Sequence, residues 1–272
     1  MNQTLRQTSQ LSAYVDGVSL IGPGLTGWPS AEPILRGLTP YTVEATVLPI
    51  PLKLPPAERR RAGRIIKLAI ALGSEAACAA DLDPKTLLCV FASSGGDGEN
   101  CHEICQTLAS GDRLLSPTRF HHSVHNVPAG YWSIAMNAMV ASTAVSAHDG
   151  SFSVGLLEAL TQVTVYGQPV LLVAYDTGYP SPLNEKRPIS DALGVALALA
   201  PIRGPRSLAQ IGACLSDGAA DRLDNLQLEA LRTHAPAGRA LPLLVRLARR
   251  EASTTRIDYL APTTLAVEVS PC

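Results

Sequence analysis

The sequence predicts an α/β layered fold, and two patterns carry that prediction. Short, continuous apolar runs occur at 87–92, 169–175 and 192–200. Runs of this length without alternation are typical of strands that are buried on both faces. Between them lie longer segments with apolar residues at helical spacing, such as the segment around Ile66 and Ile70. Alternating buried strands and helices indicate a sheet enclosed by layers of helices.

The individual elements follow from turn residues and periodicity. The segment from Pro55 to Glu58 favours a helix start, because proline is tolerated in the first turn and an acidic side chain is favourable there. In chain order, the predicted elements are a strand at 11–21, a proline-rich loop at 22–56, a helix at 59–80, a strand at 87–92, a helix at 99–109, a polar loop at 116–125, a helix at 127–139, a short strand at 140–145, a turn at 148–150, a helix at 151–166, a strand at 169–175, a loop at 178–188, a strand at 192–200, helices near 224–233 and 241–251, and a terminal strand at 263–269.

The composition shifts at about Gly204, after which the chain is more polar. We therefore divide the sequence into a main domain of residues 1–203 and a short C-terminal extension of residues 204–272 packed on it. The 272 residues are 46% hydrophobic, which is ample for a substantial core.

Charge and aromatic content argue against nucleic acid as a partner. The 22 Lys and Arg residues face 23 Asp and Glu residues, so the formal net charge is -1. A nucleic-acid binder of this size normally has a basic face. Aromatic residues make up 4% of the chain, which is few for a platform that stacks single-stranded bases.

The cysteines and the first residues predict a reducing compartment. The six cysteines form no CxxC pair, and the polar start MNQTLRQTSQ has no apolar signal core behind it. No apolar run approaches the roughly 20 residues that cross a bilayer. We expect a soluble cytoplasmic protein without a membrane span, and no motif calls for a cofactor.

The segment from Ser146 to Gly155 is the first candidate for chemistry. It lies where a predicted strand turns into a helix, and this geometry exposes one side chain at a helix N-terminus. The dipole and free N–H groups of such an end favour a thiolate or an oxyanion.

This segment resembles the nucleophile segment of the β-ketoacyl synthases, which belong to the thiolase superfamily. Gly150 and Val154-Gly155 match the glycine and the Ile-Gly pair that follow the family's nucleophilic cysteine. The segments that carry the wider resemblance, which spans residues 11 to about 200, are Phe91–Gly96, Ser116–Gly130, Val170–Tyr175 and Asp191–Leu199. The resemblance implies a thiolase-like fold, with residues 1–203 as the ketosynthase-like N-terminal half.

The departures from the family pattern imply an inactive protein. The alignment places Ala147 at the nucleophile position, and a methyl side chain cannot accept an acyl group. The family's second-half histidines, one of them in a His-Gly-Thr-Gly-Thr stretch, have no counterpart after Gly150. Only His234 lies downstream, without those glycines, and we expect the second half of the fold to be absent. We therefore assign no catalytic residue.

The resemblance implies a scaffold role within a heterodimer. The sequence is similar to the chain-length-factor subunits of aryl polyene clusters. These subunits pair with an active β-ketoacyl-ACP synthase and shape its acyl tunnel in fatty acid or polyketide biosynthesis. An acyl carrier protein is a further expected partner. The family segment after Ser116-Pro117 reaches the partner's acyl pocket, which places Arg119 and Ser123 at the tunnel. The expected dimer-interface residues are Asn126, Tyr131, Trp132 and Met136.

Two other classes of function stay open. The stretch S-x-S-x-G at 151–155 is one glycine short of the hydrolase elbow G-x-S-x-G, so a serine acyl hydrolase or acyltransferase using Ser153 or Ser146 is the alternative. A homo-oligomeric protein that binds acyl groups is the third class. Labelling by a serine-directed probe would favour the hydrolase.

Three polar clusters have both a structural and a functional interpretation. The histidines at 121, 122 and 125 lack acidic or thiolate partners at metal-ligand spacing, and Cys101, His102 and Cys105 lack a second pair. We interpret both clusters as structural and predict no metal site. The basic residues at 59–61, with Arg64 and Lys67, mark one helix face that either meets solvent or binds an acidic carrier protein.

Overall fold

A computed structural model describes residues 11–111, 113–189 and 191–272 of the chain. The strands are β1 (Leu11–Gly22), β2 (Leu25–Thr26), β3 (Leu88–Ala92), β4 (Ser142–Val145), β5 (Val170–Asp176), β6 (Leu193–Ala200), β7 (Ala209–Ser216), β8 (Ser253–Asp258) and β9 (Thr264–Pro271). The helices are α1 (Trp28–Leu35), α2 (Pro56–Arg61), α3 (Arg64–Ala79), α4 (Gly98–Ala109), α5 (Pro117–His121), α6 (Val127–Met136), α7 (Ser151–Tyr166), α8 (Leu183–Lys186), α9 (Leu226–His234) and α10 (Leu241–Arg249). Two 3₁₀ turns lie at His148–Gly150 and Pro236–Ala240.

All nine strands join one mixed sheet. Its order is β4-β3-β5-β6-β1-β7-β9-β8, with β2 paired to β1. The strand β3 lies parallel to both β4 and β5, and the other pairs are antiparallel. Parallel neighbours need crossover connections, which here contain α4 to α6 and then α7. The predicted alternation of buried strands and helices is confirmed.

The sheet separates two apolar cores. One core contains Val90 and Phe152 together with side chains of α7 and α10. The other contains Phe91 and Trp132 together with side chains of α3 and α6. Neighbouring residues of β3 point to opposite faces and are buried on both, which explains the continuous apolar run in the sequence.

Several predicted boundaries were wrong. The proline-rich stretch 22–56 contains the helix α1, which begins with Pro29 in its first turn and buries Ala31 and Leu35. The helix predicted at 59–80 is divided into α2 and α3, because Ala62 adopts an extended backbone. The loop at 116–125 contains α5. The helix predicted to reach residue 139 ends at Met136, where the backbone of Asn137 becomes left-handed.

The C-terminal residues continue the same sheet. The strand β7 pairs with β1, β9 with β7 and β8 with β9. The division proposed at residue 203 therefore falls between two strands of one sheet, and the helix α10 covers the core beside them. Within the described residues, no helix is both long enough and apolar enough to cross a bilayer.

Candidate functional site at the start of α7

The turn around Ala147 lies at the edge of the sheet where three parallel strands end. β4 ends at Val145, β3 at Ala92 and β5 at Asp176. Carboxyl ends of neighbouring parallel strands meet at one edge, which is where α/β proteins place their ligand sites. The turns that follow these three strands therefore form one candidate site.

Ala147 occupies the junction between β4 and α7, as the resemblance predicts. Its N–H donates a hydrogen bond to Oγ of Ser151 at 3.0 Å, and that hydroxyl donates to the carbonyl oxygen of His148 at 2.7 Å. The next residue, His148, has a left-handed backbone conformation with a φ of 51°. A methyl group at the junction carries no nucleophile, so the turn cannot form an acyl intermediate at this position.

Close packing explains the two glycines of the matched motif. A Cβ at Gly150 would lie 2.5 Å from the carbonyl oxygen of Tyr259, which belongs to the C-terminal residues. A Cβ at Gly155 would lie 2.8 Å from Cβ of Ala92 and 2.9 Å from Cδ1 of Leu172. The start of α7 thus lies directly against β3 and β5 on one side and against the β8–β9 connection on the other.

A network of ion pairs surrounds the turn. Asp149 binds Nη2 of Arg187 at 2.7 Å and lies 3.5 Å from Nη2 of Arg239. Asp258 then joins Arg239, at 3.4 Å, to Arg232, at 2.6 Å. The side chain of Arg232 is 6% exposed, so this part of the network is largely shielded from solvent. These ion pairs connect the C-terminal residues to the turn.

Asp176 is a second anchor of the site. It is 3% exposed, and its carboxylate accepts hydrogen bonds from the N–H groups of Ser94 at 2.8 Å and Ala237 at 2.9 Å. Burial raises the pKa of Asp176 to about 7, although these hydrogen bonds favour the charged form. The Asp176 carboxylate therefore connects the turn after β3 to the C-terminal residues.

The serines of the hydrolase alternative do not form a catalytic pair. Oγ of Ser153 is fully buried and donates to the carbonyl oxygen of Asp258 at 2.5 Å. Oγ of Ser146 is exposed and donates to the carbonyl oxygen of Ser94 at 3.0 Å. Both hydroxyl protons are directed at carbonyl oxygens, whereas an activated serine needs a base as its partner.

The predicted tunnel residues lie together on α5 and the turn after it. Arg119 is exposed and pairs with Glu103 at 3.4 Å, while its carbonyl oxygen accepts from Asn100 at 2.9 Å. Oγ of Ser123 donates to the carbonyl oxygen of Phe120 at 2.8 Å. The Phe120 side chain between them is 66% exposed. The sequence analysis did not single out Phe120. An aromatic residue in an otherwise polar loop was the signal that could have identified it.

The structure divides the predicted interface residues into two groups. Asn126 is exposed, whereas Tyr131, Trp132 and Met136 are 3%, 1% and 5% exposed. Trp132 fits against Gly73 of α3 and meets the ring of Phe91 edge-on. These three side chains therefore support α6 from the inside of this chain, and their place at an interface stays a prediction.

The three histidines at 121, 122 and 125 do not share a common partner. Nε2 of His122 lies 2.8 Å from the hydroxyl of Tyr131, Nε2 of His125 lies 3.1 Å from the carbonyl oxygen of Ser93, and His121 is exposed. Burial and His121 lower the pKa of His122. Within the described part of the chain, no group of three His, Cys, Asp or Glu side chains is arranged to hold a metal. Cys101 and Cys105 are exposed thiols on α4.

The basic residues form a face on α2 and the start of α3. Arg61 pairs with Glu58 at 3.3 Å and Arg64 with Asp191 at 2.7 Å. Among the residues that the structure describes, no carboxylate lies within ion-pair distance of Arg59 or Arg60. This face therefore retains positive charge that a solvent ion or an acidic partner can balance.

Comparison with known proteins supports the resemblance. The model of the family described as "Beta-ketoacyl synthase, N-terminal domain" matches residues 39–256. Among curated proteins, none has a sequence that matches this chain.

Solved structures share the fold. A ketosynthase in complex with its chain length factor from Xenorhabdus doucetiae superposes with a TM-score of 0.73 at 21% identity, covering 94% of this chain and 99% of that one. The ishigamide ketosynthase/chain length factor gives 0.71 at 14% identity, with 96% and 99% coverage. The structure of a type II polyketide acyl carrier protein in complex with its ketosynthase gives a TM-score of 0.69 at 13% identity, with 96% of this chain and 99% of that one covered. The predicted thiolase-like fold is confirmed.

Proposed function

Because the chain belongs to the β-ketoacyl synthase family through its N-terminal domain, we propose that it is a non-catalytic chain length factor that pairs with an active β-ketoacyl-ACP synthase. Acyl transfer and condensation take place on the partner's cysteine, and this chain shapes the partner's acyl tunnel. The product class is a fatty acid or polyketide of the aryl polyene type. The observation that carries the proposal is an open sheet edge with exposed apolar side chains, next to a turn that has lost its nucleophile.

The open edge is the strand β4. The carbonyl oxygens of Ala141 and Val145 accept from the N–H groups of Cys89 and Ser93 at 3.3 and 3.2 Å. Alternation along a strand therefore directs the backbone groups of Ser142 and Ala144 away from β3. Among the strands that the structure describes, β4 is the last in this direction, so a strand of a second chain can pair with these groups.

Apolar side chains stand exposed beside this edge. Met139, just before β4, is 97% exposed, and Ile134 of α6 is 49% exposed. Val165 and Tyr166, at the end of α7, are 67% and 61% exposed. Gln162 of α7 donates to Oγ1 of Thr143, which places this end of α7 beside β4. We call these four residues and β4 the β4 edge surface. An exposed apolar patch along a sheet edge is typical of a protein–protein interface.

The tunnel assignment rests on α5 and the turn after it. Phe120 projects into solvent between Arg119 and Ser123, and all three side chains are accessible to a partner. A side chain that narrows or widens an acyl tunnel changes the chain length that fits, because overpacking is unfavourable. We expect Phe120→Ala to lengthen the product and Ser123→Phe to shorten it. Unchanged products from both variants would contradict the tunnel role.

The basic face of α2 is a candidate contact for the acyl carrier protein. A solved structure similar to this chain contains an acyl carrier protein bound to its ketosynthase. Arg59 and Arg60 have the charge that an acidic helix would complement, and such contacts mainly accelerate association. Reversing both charges, as Arg59→Glu with Arg60→Glu, should slow condensation at low salt more than at high salt.

Co-expression tests the proposal directly. Each β-ketoacyl synthase of the source organism is produced with and without this chain, and the mixtures are separated by gel filtration. The proposal predicts a stable one-to-one complex with one of them, and a change in its product length. A chain that elutes alone or as a homo-oligomer with every synthase would contradict it.

A further inference from the structure

An apolar groove lies between α3 and the residues 47–54, which we call the 47–54 loop. The groove has a volume of about 600 Å³, and its aliphatic lining comes from Ile21 of β1, Ile70 of α3 and the loop residues Val47, Ile50 and Leu52. The three loop side chains are 73%, 69% and 74% exposed. Large aliphatic side chains that are clustered and exposed to this degree mark an interaction surface.

The 47–54 loop is fixed at both of its ends. Just before it, the N–H of Thr46 donates to Oδ2 of Asp191 at 2.7 Å, and Oγ1 of Thr46 donates to the carbonyl oxygen of Ala192 at 2.8 Å. At the other end, Leu54 is 2% exposed and belongs to the core that contains α3 and α6. Because the loop is already ordered, its exposed side chains can bind a partner without the cost of ordering it.

The backbone at the tip of this loop suits an apolar environment. Pro49 and Pro51 have no N–H group. The N–H of Leu52 donates to the carbonyl oxygen of Ile50 at 2.9 Å, and the N–H of Leu54 donates to that of Pro51 at 3.0 Å. Unpaired backbone N–H groups are unfavourable among lipid chains. The tip satisfies or lacks most of its donors, so it can enter a lipid surface.

Positive charge borders the groove. Lys53 and Lys67 line it together with the aliphatic side chains. Among the residues that the structure describes, no carboxylate lies within ion-pair distance of either lysine. The carboxylate of Glu75, which also lines the groove, already accepts two hydrogen bonds from within the chain. The two lysines therefore complement a partner that is both apolar and anionic.

The surrounding sequence has the same character. Residues 43–67 contain six Lys and Arg against two Asp and Glu, although the whole chain has a formal net charge of -1. Positive charge is thus concentrated in the segment that includes the exposed aliphatic side chains. Clusters of this kind are attracted to the anionic lipids of a membrane surface.

The residue types of this surface favour lipid over protein. Protein interfaces are enriched in aromatic residues, Met and Arg and depleted in Lys, and Leu and Val are under-represented among their hot spots. The exposed side chains here are Val, Ile, Leu and Lys. At a bilayer, aliphatic side chains enter the boundary of the acyl region while the charged ends of lysines extend to the headgroups.

We propose that the 47–54 loop and the groove beside it dock this chain onto an anionic phospholipid membrane. Val47, Ile50 and Leu52 enter the boundary between headgroups and acyl chains, and Lys53 and Lys67 contact the phosphate groups. The contact is peripheral and spans nothing. It goes beyond the pairing with a ketosynthase and does not depend on it, since none of these residues belongs to the β4 edge surface.

Vesicle flotation tests the proposal on the full chain. Vesicles of phosphatidylcholine alone are compared with an equal mixture of phosphatidylcholine and phosphatidylglycerol, at low and high salt. Flotation is suitable because bound protein rises with the lipid, whereas aggregated protein sinks. We expect binding to the mixed vesicles, weaker binding at high salt, and at least about fivefold weaker binding to phosphatidylcholine alone.

The first pair of variants tests the aliphatic contribution. Ile50→Asp with Leu52→Asp should weaken binding to the mixed vesicles by at least about tenfold, because it removes the inserted apolar surface. The matched control is Ile202→Asp with Leu226→Asp, whose side chains are 76% and 83% exposed and do not line the groove. Its binding should stay within about twofold of that of the natural chain.

The second pair of variants tests the charge. Lys53→Glu with Lys67→Glu should weaken binding to the mixed vesicles by at least about tenfold and leave binding to phosphatidylcholine unchanged. Lys85→Glu with Lys186→Glu is the control, because it changes the net charge equally at two other exposed lysines. Thermal melting identifies variants that unfold, and Lys53→Gln with Lys67→Gln replaces the charge reversal if it does so.

Equal binding by the groove variants and their controls would overturn the inference, and so would the absence of flotation with the mixed vesicles. Two other occupants of the groove would also overturn it. A partner subunit is the occupant if Ile50→Asp with Leu52→Asp abolishes co-elution with the ketosynthase and leaves vesicle binding unchanged. A second copy is the occupant if the same variant abolishes self-association in sedimentation without vesicles and leaves vesicle binding unchanged. Pairing and vesicle binding are thus measured as separate results.

Discussion

The two ends of α7 differ in what they present to solvent. At the N-terminal end, ion pairs of Asp149 with Arg187 and Arg239 lie beside the turn that contains Ala147. At the C-terminal end, Val165 and Tyr166 stand exposed beside the open strand β4. The first region lies where the family resemblance places a nucleophile but carries a methyl side chain there, and the second exposes apolar side chains beside an edge strand. Under the proposed function, this contrast means that the chain acts through contact with a partner.

The largest expected effect comes from charge or proline placed in the β4 edge surface. Met139→Arg puts a charge at a site that is 97% exposed, and Ala144→Pro removes an N–H that points away from β3. Loss of a central interface contact costs about 2 kcal/mol or more, which corresponds to at least about 30-fold weaker pairing. Gel filtration with the ketosynthase and titration of the complex measure the change.

Leu226→Arg is the matched control for these variants. Leu226 is 83% exposed on α9, away from the β4 edge surface. Pairing should be unchanged in this variant. If it weakens pairing as much as Met139→Arg does, the interface is not at β4 and the comparison between the two ends of α7 fails.

The second effect breaks the packing at the N-terminal end of α7. Gly155→Val would force side-chain atoms into Ala92 and Leu172, so we expect a loss of about 2 kcal/mol in the free energy of unfolding. The melting temperature should then fall by about 4–8 °C. Gly130→Ala on α6 is the control, since nothing lies within 4 Å of the added Cβ. It should leave stability unchanged or raise it, and equal losses in both variants would contradict the packing account.

The third effect concerns the buried anchor Asp176. Its pKa is about 7 in the folded protein against an ordinary value of 3.8, so the folded state keeps a proton that the unfolded state releases. Its contribution to stability is therefore fully present below pH 4 and is lost as the pH rises towards 7, by roughly 1 kcal/mol per pH unit. Asp176→Asn should flatten the decline of stability between pH 4 and 7 in urea unfolding. An unchanged slope would show that another group titrates.

The smallest effect is expected at the exposed ion pair between α4 and α5. Arg119 and Glu103 are 3.4 Å apart, and their side chains are 45% and 44% exposed. An exposed pair of this kind contributes below about 0.5 kcal/mol, so Arg119→Ala should barely move the melting temperature. A large stability loss in calorimetry would mean that Arg119 supports the fold, and a change in product length could then no longer be ascribed to the tunnel.

Local signals in the sequence were sufficient for some elements and insufficient for others. The strands β3, β5 and β6 were predicted because burial on both faces produces continuous apolar runs. The strands β7 and β8 were missed because their exposed and half-buried positions dilute that signal, and because β7 pairs with β1 and β9, which are distant in the sequence. The helix α1 was hidden by its prolines, of which Pro29 lies in the tolerant first turn and Pro33 lies inside the helix.

The candidate site was predictable only where it follows the chain. Ala147, Gly150 and Gly155 are neighbours in sequence, so the motif placed the turn correctly between β4 and α7. Arg187 and Asp149 lie 38 positions apart in the sequence, and no local pattern predicts that they form an ion pair. The burial of Trp132 was equally invisible, because an apolar α6 gives no indication of which face meets α3 and which faces outward.

The central claim is that condensation takes place on a partner while this chain contributes surface. Its most direct test is intact-mass spectrometry of the co-purified heterodimer after exposure to an acyl-loaded carrier protein. The account predicts an acyl adduct on the ketosynthase subunit and an unmodified mass for this chain throughout turnover. An acyl adduct that forms and disappears on this chain, at a rate that matches product formation, would contradict it.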